Sequence, residues 1–171
     1  MAKVCVLMGS DSDLPVMAAC LEALEKFDID YEVLVSSAHR VPEKTAEIAK
    51  NAAARGFEVI VAGAGSAAHL AGVLASHTPL PVIAVPLSGS ALNGLDALYA
   101  SVQMPRGVPV ATVAIDGAFN AGVLAAQILG VKDPQLREKM AAYKESLSRQ
   151  VEEKNERLQA LGYKRYLEEK K

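Results

Sequence analysis

The stretch VCVLMGSDSD at residues 4–13 decides the fold class. Its first five residues are apolar throughout, which predicts a strand covered on both faces, as in a parallel sheet. Gly9 then allows a tight exit from the strand. The hydroxyl and carboxylate residues that follow predict an immediate helix start, with Ser12 or Asp13 as the N-cap. The stretch therefore predicts the strand–turn–helix opening of an α/β protein.

The same alternation of apolar runs and helical patterns recurs along most of the chain. The predicted strands are 4–8, 31–36, 59–62, 82–86 and 110–115. The predicted helices are 14–27, 42–55, 67–76, 91–102 and 118–129. Such alternation implies right-handed crossovers and a doubly wound sheet. A flavodoxin-like five-stranded parallel sheet is the most common solution at this length, although sequence alone does not fix the strand order.

A longer and more polar helix is predicted after Pro134, with the Asp133 carboxylate just before it as the cap. Apolar residues recur at three-, four- or seven-residue spacings from 135 to 161, and Gly162 is expected to end the helix before a short solvated tail. This helix could pack on its own domain or extend as an arm onto a neighbouring subunit. Residues 1–171 are thus predicted to form a single α/β domain, with 134–171 as a C-terminal helical extension.

The composition is that of an ordinary globular protein, with 51% hydrophobic and 22% charged residues. A formal net charge of −2 gives no electrostatic footprint for nucleic acid or an anionic membrane. The apolar runs fall short of the roughly 20 residues that span a bilayer, and the N-terminus shows no signal-peptide pattern. Cys5 and Cys20 are expected to be core residues in a reducing compartment. We therefore expect a cytoplasmic protein without nucleic-acid or membrane partners.

Polar or glycine-rich turns follow four of the predicted strands, at 9–13, 37–40, 63–69 and 87–90. Ligands of open α/β sheets bind outside the carboxyl ends of the strands, so these turns predict one shared pocket. The first turn could bind a phosphate through free backbone N–H groups at the helix start, or its polar residues could merely cap that helix. Arg40 in the adjacent turn favours phosphate, which a guanidinium binds in a fixed, bidentate geometry.

His39 is the candidate for proton transfer, because it lies beside the proposed phosphate turn. An unperturbed imidazole has a pKa of ~6.5 and can take and return a proton near neutral pH. His69 could line the pocket or satisfy backbone groups, whereas His77 is expected to be a helix-end or loop residue without a functional role. The small residues at 63–68 could let a planar group approach the backbone closely, or could only serve a tight turn.

Neither a metal nor an organic cofactor is predicted. The histidines and cysteines show no metal-ligand spacing. No dinucleotide fingerprint or Walker loop follows the first strand, and no serine nucleophile elbow has its partners in the expected order. The reaction is therefore expected to use protein groups and substrate alone.

Five motifs that occur in order along the chain carry a resemblance. They are MGSDSD at 8–13, SAHR at 37–40, AGAG at 62–65, LNGLD at 92–96 and QMPRGVPVAT at 103–112. Together they resemble the family of 5-(carboxyamino)imidazole ribonucleotide mutases, isomerases of de novo purine (IMP) biosynthesis. The resemblance implies a flavodoxin-like subunit of a homo-octamer, a small-molecule ribonucleotide substrate and no cofactor.

The resemblance also implies roles for individual residues. His39 would be the catalytic acid/base, Ser10 and Arg40 would lie on or near the phosphate, and Asp13 would lie at the ribose. The further substrate-binding positions are Ser12, Ser37, Gly65, Ser66 and His69. The carboxylate would leave the exocyclic nitrogen as carbon dioxide and be attacked by the adjacent ring carbon, in a pocket that excludes water.

The chain departs from the family pattern at Val41, Ser66 and Ala71, where the family has Thr, Gly and Pro. The segments 87–90 and 97–101 also differ from the usual family sequence. A related group of carboxylases uses aminoimidazole ribonucleotide and carbon dioxide directly and shares the fold. That group has Lys in place of Arg40 and lacks the Gln-Met-Pro run at 103–105, so both features favour the mutase. Two further alternatives are a flavodoxin-like module that binds a phosphorylated ligand or a flavin, and an interaction protein built on the C-terminal helix. The last would leave the turn at 37–40 unexplained.

Overall fold

The computed structural model describes residues 3–169 and contains a five-stranded sheet whose neighbouring strands are all parallel. The strands are β1 (Val4–Met8), β2 (Tyr31–Val35), β3 (Val59–Gly65), β4 (Val82–Leu87) and β5 (Ala111–Thr112). The helices are α1 (Leu14–Lys26), α2 (Pro42–Asn51), α3 (Leu70–His77), α4 (Leu95–Val102), α5 (Ala118–Gly130) and α6 (Pro134–Glu168). The spatial order β2-β1-β3-β4-β5 is flavodoxin-like. The predicted fold class is therefore confirmed.

Both faces of the sheet are covered by helices, which explains why the strands are apolar throughout. Val4, Val6 and Met8 of β1 point into a core shared with α1 and α5. The alternate residues Cys5 and Leu7 point into a second core with α2 and α3. Cys5 and Cys20 are free thiols, and burial raises the pKa of each to about 12, so both stay protonated.

Helix α6 begins on the body of the protein and then leaves it. The Asp133 carboxylate accepts hydrogen bonds from the backbone N–H groups of residues 135 and 136, at 3.0 and 3.1 Å, which confirms the predicted cap. Leu136 and Met140 are buried against the core, whereas Leu147 and Val151 are 42% and 65% exposed. The first turns of α6 thus pack on the rest of the chain, and the later turns extend beyond it. Within residues 3–169, no helix is both long and apolar enough to cross a membrane.

The prediction for the end of this helix is only partly correct. Gly162 has φ +71° and breaks the helical backbone, but the helix resumes beyond it and continues to Glu168. The segment 163–169 is mostly exposed, as predicted for a solvated tail, but it is also largely helical, while residues 170 and 171 lie outside the described residues.

Several predicted boundaries shift where the backbone enters the left-handed region. Ser66 has φ +51°, and α3 therefore begins at Leu70 rather than at residue 67. Asn93 and Gly94 have φ +50° and +86°, so α4 begins at Leu95 rather than at residue 91. Helix α2 ends at residue 51 instead of 55, β3 runs on to residue 65, and β5 is reduced to two residues.

An ion-pair cluster holds together the edge of the sheet at which the strands begin. The Glu58 carboxylate, just before β3, accepts from Lys3 at 2.7 Å and also pairs with Lys132, just after α5. Burial alone would raise the pKa of Glu58, but the two ammonium groups lower it overall. The cluster therefore ties the start of two strands to the end of a helix.

Candidate active site

A cleft of about 500 Å³ lies at the opposite edge, where the strands end and the strand order reverses between β1 and β3. Every predicted site residue except His69 lines it. These residues are Ser10, Ser12, Asp13, Ser37, His39, Arg40, Gly65 and Ser66. The four turns predicted to share one pocket all contribute to its wall, so the sequence correctly placed them at one edge.

The first turn is a capped helix start. The Ser10 N–H donates to the Asp13 carboxylate at 3.1 Å, and the Ser12 N–H donates to the Ser10 hydroxyl at 3.3 Å. The Asp13 N–H donates to the Ser10 carbonyl at 3.2 Å. Ser10 caps the short 3-10 turn 11–13 through a capping box with Asp13. Asp13 occupies the N-cap position of α1, as predicted, but its side chain makes no capping bond to that helix.

This geometry corrects the expected role of the backbone in the first turn. The N–H groups of Ser10, Ser12 and Asp13 are already paired within the turn, so they are not free to bind a phosphate. The hydroxyls remain at the cleft wall, with the Ser12 hydroxyl donating to the Ser10 hydroxyl at 2.9 Å. The turn thus caps a helix and presents hydroxyl groups to the cleft at the same time.

Asp13 is the half-buried carboxylate of this wall. Burial raises its pKa above the ordinary value, a rise that the hydrogen bond from the Ser10 N–H offsets only in part. A partly desolvated carboxylate is a strong acceptor for hydroxyl donors, because water competes less for it. Asp13 can therefore accept hydrogen bonds from a polyhydroxylated ligand.

The second turn is fixed by buried hydrogen bonds, while its side chains at the cleft are exposed. The buried hydroxyls of Ser36 and Thr45 lie 2.8 Å apart, and the Thr45 hydroxyl donates to the Val41 carbonyl at 3.1 Å. These bonds fix the turn onto α2, while His39 and Arg40 above them are exposed at the cleft. The Arg40 guanidinium makes no ion pair with any residue of the described range 3–169, and it is thus available to an anion.

The third turn brings the backbone of β3 close to the cleft. Gly63 lies so near Met17 of α1 that a Cβ there would collide with the Met17 side chain, which would have to shift. Beyond it, Ala64, Gly65, Ser66 and Ala67 form a wall of small side chains.

His69 lies just before α3 and outside the cleft lining, but it contacts His39 directly. Its Nδ1 is 2.9 Å from Nε2 of His39, and the two rings meet edge to face with centroids 5.0 Å apart. The sequence placed both histidines near the cleft but did not predict their contact, because 30 residues separate them along the chain.

Two apolar wall residues, one at the end of the third turn and one at the start of the fourth, were not among the predicted site residues. Leu87 ends β4 and Leu70 begins α3, and both are buried at the cleft. Leu87 stands immediately before Ser88 and Leu70 immediately after His69, and these positions are the signal that could have identified them. The Ser88 N–H donates to the Asp116 carboxylate at 2.9 Å, which holds the turn in place.

The cleft thus combines an unpaired guanidinium, serine hydroxyls, a carboxylate, an imidazole and an apolar wall. In residues 3–169, no group of three or more His, Cys, Asp or Glu side chains is arranged to hold a metal ion. The arrangement can bind an anionic, hydroxylated ligand and transfer a proton to or from it.

Fold and cleft together define a flavodoxin-like α/β protein with a small-molecule site at its switch point. A family model described as AIR carboxylase matches residues 3–150, and the chain belongs to that family. It is 59% identical to the N5-carboxyaminoimidazole ribonucleotide mutase of Thermotoga maritima, over 99% of both chains. It is 57% identical to the mutase of the same name from Pyrococcus horikoshii, over 96% of this chain and 93% of that one. The crystal structure of Treponema denticola PurE superposes with a TM-score of 0.84 at 29% identity, covering 92% of this chain and 99% of that one.

Proposed function

We propose that this chain converts N5-carboxyaminoimidazole ribonucleotide into its ring-carboxylated isomer, the mutase step of purine biosynthesis. The observation that carries the proposal is the likeness of this chain, over nearly its whole length, to relatives named for this activity. The cleft supports it independently, because it holds a proton-transfer group beside anion- and hydroxyl-binding groups.

The ribonucleotide is held by the polar half of the cleft in this proposal. Arg40 and the Ser10 hydroxyl bind the phosphate, and the Asp13 carboxylate accepts from the ribose hydroxyls. Ser12, Ser37, Gly65 and Ser66 contact the rest of the ligand from the surrounding turns. The heterocycle then lies toward His39 and the small residues of the third turn.

His39 balances the protons of the reaction. The bond between the exocyclic nitrogen and its carboxylate breaks, releasing carbon dioxide, and the nitrogen takes a proton from the protonated His39. The adjacent ring carbon attacks the carbon dioxide and forms the new C–C bond. His39 then removes the proton from that carbon, which restores the aromatic ring and returns His39 to its starting state. The apolar wall of Leu70 and Leu87 keeps water away from the released carbon dioxide.

Substrate assays test this proposal directly. The purified chain is expected to convert the carboxyamino ribonucleotide, followed by ultraviolet absorbance, without added bicarbonate, ATP or metal. Turnover of aminoimidazole ribonucleotide that requires high bicarbonate would replace the mutase with the direct carboxylase. Tight ligand binding without turnover, or a yellow protein, would instead indicate the binding module.

Two histidine variants test the proposed acid/base role of His39. His39→Asn is expected to abolish turnover and to leave ribonucleotide binding largely intact, because the amide cannot shuttle a proton. The matched control is His77→Asn, since His77 is the last residue of α3 and does not line the cleft. Near-normal activity of His39→Asn would contradict the assignment.

We also propose that the chain works in the cytoplasm as a homo-octamer of single-domain subunits. The free thiols of Cys5 and Cys20 support a reducing compartment. Subunit contacts are supported by the apolar side chains exposed on α4 and on the outer turns of α6, such as Tyr99 at 57% and Val151 at 65%. Light scattering of the purified protein measures the subunit number, and a monomer would contradict the proposed assembly.

A further inference from the structure

The contact between His39 and His69 assigns a specific task to the second histidine. We infer that His69 is a positioning residue that holds His39 in the tautomer with its proton on Nε2. The inference rests on the proposed function in that His39 is taken as the acid/base. It starts from the 2.9 Å separation between Nε2 of His39 and Nδ1 of His69. At this distance one of the two nitrogens donates a hydrogen bond to the other.

The chemistry of a base decides which nitrogen donates. If His69 donated to Nε2 of His39, the neutral His39 ring would carry its proton on Nδ1 and keep no lone pair for the substrate. If His39 donates from Nε2, its Nδ1 keeps a free lone pair and can accept the proton of the ring carbon. Only the second arrangement leaves His39 able to act as a base, and it requires His69 to accept the hydrogen bond through Nδ1.

The same arrangement serves the protonated state. When His39 has taken a proton, its Nε2–H still donates to His69, and the bond becomes charge-assisted and stronger. His69 thus stabilises the imidazolium without exchanging a proton of its own. The hydrogen bond need not reorganise between the two halves of the reaction.

The backbone around His69 holds its ring in place. The His69 N–H donates to the Ala67 carbonyl at 2.8 Å, and the His69 carbonyl accepts from the Val73 N–H at 2.9 Å in the first turn of α3. The flanking Ala68 and Leu70 are buried.

Nitrogen-15 NMR of the ring nitrogens tests the tautomer without any turnover. The chain contains three histidines, so histidine-labelled protein gives few signals, and single substitutions assign them. For neutral His39 we expect a protonated Nε2 and an unprotonated Nδ1, and in His69→Ala we expect shifts averaged over both tautomers. A His39 ring that is unchanged in His69→Ala, or already averaged in the wild type, would overturn the inference.

Kinetics then separate positioning from binding. We expect His69→Ala to lower kcat by roughly 10- to 100-fold, a part of the total contribution of acid/base catalysis, with KM changed less than about threefold. His69→Asn should recover most of the rate, because its side-chain oxygen can accept from Nε2 in place of Nδ1. His77→Ala is the control and should match the wild type.

The outcomes separate this inference from the proposed function. A full kcat in His69→Ala, or a raised KM with kcat retained, would overturn the positioning role while leaving the mutase intact. A wild-type protein with the expected tautomer but no turnover would overturn the mutase, and the hydrogen bond between the histidines would stand.

Discussion

Replacing Gly122 with alanine tests the close packing of α1 against α5, which sets the position of the first turn of the cleft. A Cβ at residue 122 would lie 2.7 Å from the Ala23 Cβ and 2.7 Å from the Cys20 carbonyl oxygen. Neither atom can rotate away, so the two helices must move apart. Overpacking of this kind costs about 1–3 kcal/mol, and alanine in place of glycine within a helix recovers roughly 1 kcal/mol. We expect Gly122→Ala to lower the free energy of unfolding by up to about 2 kcal/mol, the overpacking cost less the helix-propensity gain.

Urea unfolding at one fixed protein concentration measures this loss, because the proposed subunit association would make apparent stability depend on concentration. Gly130→Ala is the matched control on the same helix, where an added Cβ would meet its nearest atom at 3.6 Å, an ordinary contact. It should be neutral or slightly stabilising. In thermal unfolding, each kcal/mol corresponds to a Tm change of about 2–4 °C. The reasoning is refuted if Gly122→Ala proves as stable as Gly130→Ala.

Three further substitutions act on caps, strain and charge. Val41 is the N-cap of α2 and makes no side-chain capping bond, so Val41→Thr should raise stability by about 0.5–1 kcal/mol in thermal unfolding. An equal gain in Val41→Ala would contradict the capping explanation. Ser66 has a left-handed backbone, so Ser66→Gly should remove roughly 1–2 kcal/mol of strain. The glycine also gives the unfolded chain more freedom, which lowers stability by roughly 0.5–1 kcal/mol. The free energy of unfolding in urea should therefore rise by about 0.5–1 kcal/mol. Ser66→Ala keeps the strain and should show no such gain. Glu58→Gln should lower stability at neutral pH, and because folding lowers the pKa of Glu58, its difference from wild type should shrink as the pH falls through the folded-state pKa. A difference that stays constant down to about pH 3 would show that the Glu58 charge contributes nothing.

The sequence predicts the layers of this fold well because its strands are short, apolar and buried on both faces. Val4–Met8 matches its predicted bounds for that reason. The errors occur where local preference is outweighed by tertiary pairing or by backbone strain. Gly63 and Gly65 disfavour a strand by propensity, yet both pair with β4, at Val85 and Leu87, because small residues fit the crowded interior.

The site could be predicted in part, because the turns that follow parallel strands lie at the same edge of the sheet. That rule places His39 and Arg40 beside the Ser10 turn from the sequence alone. It could not show that the N–H groups of Ser10, Ser12 and Asp13 are paired within this turn, since several residues there can cap equally well by type. Nor could it show the bond from His39 to His69, which depends on the angle between two turns rather than on either motif.

The ion pairs of Glu58 lie where the strands begin, and the cleft lies where they end, so about one strand length separates them. Anchorage and chemistry therefore occupy opposite ends of the same sheet. Charges, cross-links or a surface linker can be added around Lys3 and Lys132 without approaching the reacting groups. Heat resistance and turnover can accordingly be tuned as two separate properties of this protein.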